Sequence, residues 1–167
     1  MMARIRTSGT FGAAFGTLVF AVVLAIAWLG AAPPAHAQDV QAECSFLEIK
    51  ATNDDSGIDP ELKRLKKKLT KPPLSSWNSF KLVARHDKTL TRRKAEDVTL
   101  QLGGKLSVLL REKTAGARTR FEVTLAIDSK KGKRVLDTTG NVAAGDYLIV
   151  SVDATAESSN LLAVTCR

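Results

Sequence analysis

The chain reads as a mainly β protein: an antiparallel β-sandwich or barrel of about eight short strands, with one short amphipathic helix near the N-terminus. Three observations predict this. Apolar residues recur at every second position through most of the sequence after Cys44. Turn-forming Gly, Asp, Asn and Ser interrupt them at near-regular spacing. Only one segment shows helical spacing.

Residues 45–51 alternate, with Leu47, Ile49 and Ala51 on one face of a first strand. Residues 52–57 (Thr-Asn-Asp-Asp-Ser-Gly) are turn chemistry. They are not a calcium loop. With Gly57 in the sixth position, Thr52 and Lys63 would stand where carboxylates are needed. Asp59 and Pro60 then open the helix as N-cap and first helical residue. Leu62, Leu65 and Leu69 form its apolar stripe, and Lys63, Arg64, Lys67 and Lys68 lie opposite. It must stop before Pro72-Pro73, and it is expected to cover an open end or edge of the β structure.

Period two then returns. Phe80, Leu82 and Ala84 share a face, and Val98, Leu100 and Leu102 alternate over residues 98–102. Gly103-Gly104 signals a tight hairpin into Leu106, Val108 and Leu110. Residues 111–120 read as a longer loop, followed by the cleanest alternation, Phe121, Val123, Leu125 and Ile127. A second hairpin loop is expected at 129–133, a short strand at 135–139, and strands at 147–152 and 161–166.

Residues 1–37 have the layout of an export signal. Arg4 and Arg6 form a positive n-region, residues 11–32 are apolar or small, and Pro33-Pro34 break the helix. Ala35-His36-Ala37 fits the A-x-A rule, placing the cut after Ala37. An uncleaved anchor is the rival, since the apolar run approaches the ~20 residues that span a bilayer. The Pro-Pro break and the cleavage site favour removal. Ile5 separates the arginines, so a twin-arginine signal is not indicated. The expected product is one domain, residues 38–167, in the periplasm or secreted.

The formal charge is +8, and removing Arg4 and Arg6 leaves +6 for residues 38–167. A basic domain outside the cytoplasm meets envelope polymers, lipid headgroups or acidic proteins, and no nucleic acid is expected. Its few aromatics, Phe46, Trp77, Phe80, Phe121 and Tyr147, offer little for stacking bases or sugars. The two cysteines, Cys44 and Cys166, read as one disulfide in an oxidising compartment. That bond would bring the first and last strands side by side.

The run Gly57-Ile58-Asp59-Pro60-Glu61-Leu62, a lysine-rich helix, and then residues 71–82 (Lys-Pro-Pro-Leu-Ser-Ser-Trp-Asn-Ser-Phe-Lys-Leu) resembles uncharacterised small exported β-domain proteins of Gram-negative bacteria. The resemblance spans residues 57–110. It implies an exported β-domain and carries no catalytic motif.

Three features could act. The first is a basic set: Lys63, Arg64, Lys67, Lys68 and Lys71 on the helix face, with Arg92, Arg93 and Lys94 and then Lys130, Lys131, Lys133 and Arg134 further on, a surface for an anion or an acidic partner if the fold brings two of these groups together. Charge runs are also what a solvated face requires. Trp77 is the second, an aromatic anchor for a partner or a plug beneath the helix. The third is His86-Asp87, a candidate acid–base pair. His86 is the only histidine after the signal, and no nucleophile motif, metal motif or phosphate loop accompanies it. No metal or cofactor is expected. The sequence therefore reads as a non-enzymatic binding or structural domain acting through protein–protein contact in the envelope or outside the cell. The alternative is a binder of anionic polymers or membrane surfaces through the basic helix face.

Overall fold

The computed structural model describes residues 39–167. The expected export signal and its cleavage site lie outside the described residues. Strands β1 (Gln41–Thr52), β2 (Ser79–Thr91), β3 (Ala95–Thr99), β4 (Lys105–Thr114), β5 (Arg120–Asp128), β6 (Arg134–Ala143), β7 (Leu148–Ala154) and β8 (Ser158–Cys166) form two antiparallel four-stranded sheets. The order is β2-β1-β8-β7 in one and β3-β4-β5-β6 in the other. Two separate sheets face to face make this a β-sandwich.

The inward side chains of both sheets form one core. Phe46, Leu90, Leu162 and Val164 of the first meet Leu106, Val108, Leu110, Phe121, Leu125 and Ile127 of the second. A second cluster lies on the outer face of the first sheet. There Leu62, Leu65 and Leu69 pack on Leu47, Ile49, Ala51, Phe80 and Ala163. Leu62, Leu65 and Leu69 are at most 1 % exposed, so each anchors the cover. Truncating any of them to alanine costs about 2–5 kcal/mol.

The cover begins as a 3-10 segment, Pro60–Leu65, and ends in one α-helical turn, α1 (Lys66–Leu69). Asp59 caps it by accepting the Glu61 amide at 3.0 Å. It lies on a sheet face, not over an open end or edge as the leucine stripe alone suggested. The reason is in β1: Phe46, Leu47, Glu48 and Ile49 are buried in succession, so this half of the strand needs a layer on both sides.

Cys44 and Cys166 form the expected disulfide. They sit directly opposite in the β1–β8 ladder, next to Glu43 and Arg167, which exchange both backbone hydrogen bonds. The two cysteines thus occupy the closer, non-hydrogen-bonded kind of pair, with Cα atoms 4.1 Å apart.

Several strand limits differ from expectation. The strand expected over 98–102 leaves its ladder after Thr99, because the amides of Gln101 and Leu102 turn to the carboxylate of Glu48. Gly103 and Gly104 complete that hairpin at φ 106° and 105°. A Cβ on Gly104 would lie 2.2 Å from the Asp128 carbonyl oxygen, so only glycine fits. Strand β2 runs on to Thr91, beyond its apolar alternation. Its extra residue, Val83, shifts the register against β1, so Phe80 and Leu82 face outward while His86 and Leu90 face inward.

Candidate functional site

The cover sits over only part of the outer sheet face. Beyond it, the sheet is lined by polar residues. Ser45 of β1, Arg85, Asp87 and Thr89 of β2, and Thr165 of β8 face the same way at period two. Arg64 from the cover, Lys88, Tyr147, and the Glu43–Arg167 pair complete the walls of a groove of about 610 Å³.

Both carboxylates in this groove are already engaged. Asp87 accepts a short hydrogen bond from the Ser45 hydroxyl. Glu43 accepts one from Arg167 Nε at 2.7 Å. Arg64, Arg85 and Lys88 form no ion pair among the described residues. Arg64 and Arg85 therefore share the groove with hydroxyls and a tyrosine, while Lys88 lies on the same side of β2 as His86 and Leu90 and lines the groove by its position in the strand. Such a set can hold carboxylates or other anions while the hydroxyls bond neutral polar groups.

The cover is fixed at its end by Lys68. Its Nζ lies 2.8 Å from the Asp146 carboxylate and donates to the Tyr147 carbonyl at 2.5 Å. The hydrogen bond from Lys68 to Asp146, followed by one from the Tyr147 amide, holds the Asp146 carboxyl below the usual carboxylate range. Lys68 is thus a strut that orients Tyr147.

The basic set marked in the sequence is divided by the fold. Arg64 reaches the groove, Lys63, Lys67 and Lys71 stand exposed on the cover, and Lys68 is paired. Arg92 and Arg93 lie at the far end of β2, where the Arg92 amide donates to Val40 and the Arg93 amide to Leu110. From Leu47 under the cover to Val40 is about 23 Å of strand at ~3.3 Å per residue. The two groups do not form one patch. Trp77 is half-buried against the outer apolar cluster beside the cover.

His86 and Asp87 point to opposite faces of β2. His86 Nε2 lies 2.7 Å from the buried Glu48 carboxylate, inside the sandwich, while Asp87 lies in the groove. They do not form a pair. Among the described residues no cluster of three or more His, Cys, Asp or Glu side chains could hold a metal.

Arg85 and Lys88 escaped the sequence reading because nothing apolar alternates with them. The visible signal was the period-two run Arg85, Asp87, Thr89 following Phe80 and Leu82. Compared with protein-family models, curated proteins and solved structures, the chain matches none.

Proposed function

We propose that this protein is an exported, non-enzymatic binding domain that acts by contact with another protein of the cell envelope, through the groove on the outer sheet face. The observation that carries this reading is the pairing pattern. The groove's carboxylates are satisfied internally, whereas Arg64 and Arg85 are left without ion-pair partners among the described residues. An acidic surface segment supplies what they lack. Tyr147 at the rim adds a rigid aromatic contact of the kind enriched where binding energy concentrates. Export is supported by the Cys44–Cys166 bond, which persists in oxidising compartments, and by the signal-like residues 1–37 with their cut after Ala37.

A second reading rests on Lys63, Lys67 and Lys71, exposed together on the cover and without ion-pair partners among the described residues. They could serve as a general surface for anionic polymers. Capture from envelope extract on immobilised, oxidised protein separates the two, with washes at low and then high salt. One or a few proteins retained at high salt support a specific interface. Many acidic proteins or polymers, all released at high salt, support the general anion surface, since screened charge then supplies the binding.

A further inference from the structure

We infer that the end of the sandwich formed by the β3–β4 and β5–β6 hairpins is a docking surface for an anionic lipid bilayer. It is separate from the groove and from the cover. Three observations converge there.

The first is exposed apolar surface. Among the described residues Val135, 47 % exposed, is the one large hydrophobic side chain left in solvent. It borders a cleft of about 390 Å³ between these hairpins and the β7–β8 pair of the other sheet, with Leu100, Leu102, Val152 and Leu162 as its apolar wall and Ser129, Asp153 and Asn160 beside them.

The second is charge. The β5–β6 hairpin carries Lys130, Lys131 and Lys133, all exposed and all without ion-pair partners among the described residues. Its neighbour Arg134 differs, being held by Asp128 at 2.5 Å and Asp137 at 2.9 Å. That pairing fixes the strand base and leaves the tip cationic. Of the two carboxylates lining the cleft, Glu48 is buried and bonded to His86 and to the Gln101 and Leu102 amides, and Asp153 is exposed, so the three lysines outweigh it.

The third is placement. The aliphatic stem of Lys130 packs over Gly103, where an added Cβ would lie 2.5 Å from its Cε. Glycine lets the stem of this exposed lysine lie across the β3–β4 hairpin. That is how lysine sits at a bilayer interface. Ammonium groups over an apolar notch match a layer of phosphates over acyl chains. A soluble polyanion would use the lysines and leave the cleft empty.

The test uses the protein expressed as the full chain with export, then purified and sedimented with vesicles at low salt. Phosphatidylcholine vesicles are compared with vesicles that also contain phosphatidylglycerol. Binding is expected only with the anionic lipid. Replacing Lys130, Lys131 and Lys133 by Gln should weaken it by about a hundredfold, at about fivefold per lysine near an anionic surface. Val135→Ser should weaken it several-fold, and Lys131→Gln alone should give the single step. Gln at Lys63, Lys67 and Lys71 should leave it unchanged. All these side chains but Val135 are exposed lysines, and Gln keeps most of the Lys130 stem over Gly103, so melting temperature should hold. Failure of the wild type to bind anionic vesicles would overturn the inference. So would loss that follows the cover lysines, or Val135→Ser without effect, which would leave only a soluble anion patch.

Discussion

Glu48 and His86 meet inside the sandwich with Oε1 and Nε2 2.7 Å apart, although the sequence places Asp87 beside the histidine. The same carboxylate accepts the Gln101 amide at 3.0 Å and the Leu102 amide at 2.8 Å. One buried side chain of β1 thus ties the edge strand β2 to the tip of the opposing sheet. Glu48→Ala strands two amides and the imidazole, and should cost about 3 kcal/mol in denaturant unfolding. His86→Ala leaves both amides bonded and should cost clearly less. If His86→Ala proved the costlier of the two, Glu48 would not be the anchor of the hairpin.

Removing the disulfide should be the largest single loss of stability. Cys44 and Cys166 are separated by 122 residues. Closing a loop of that size stabilises by about 5 kcal/mol in the chain-entropy account, with 2–5 typical of small exported domains. The double replacement by serine should lower the unfolding midpoint by a corresponding amount, and reductant should do the same to the unaltered protein. No change under reductant would mean the bond does not constrain the unfolded chain.

The Lys68–Asp146 pair predicts a pH dependence. Asp146 has its carboxyl depressed below the usual 3.8, chiefly by the Lys68 hydrogen bond. A depressed carboxylate contributes stability above its unfolded value and loses it as pH falls through the folded value. The contribution is therefore full at neutral pH and fades below about 3.8. Both side chains are about half exposed, so Lys68→Gln should cost no more than about 1 kcal/mol at neutrality. Melting curves of both proteins should converge in acid. A gap that widened there would contradict the pairing.

The parts of the fold legible in the sequence are those where burial leaves a one-sided apolar pattern. The Phe121–Ile127 alternation became β5, and the leucines of the cover all docked. The Gly103-Gly104 and Gly132 turns fell where expected, and the two cysteines joined. The second half of β2 was illegible because its outer face is a solvent-lined groove and the other side carries His86, Lys88 and Leu90, of which only Leu90 is apolar. Where the cover docks depends on β1 being buried on both faces, which a single strand's pattern does not separate from a turn of core helix. The groove was half legible. Arg64 stood out in a charge run, but Arg85, Lys88, Ser45 and Thr165 become neighbours only through the β2-β1-β8 pairing, across more than a hundred residues of chain.

The groove itself is tested most directly by charge removal at fixed fold. Arg64 and Arg85 are exposed, so replacing both by Gln should leave stability within about 0.5 kcal/mol per site. The comparison is capture of envelope proteins by this variant and by one with Gln at Lys63, Lys67 and Lys71, both washed at high salt. The proposed interface predicts that the groove variant loses the salt-resistant partner while the cover variant keeps it. Retention by the groove variant, or equal loss from both, would contradict it.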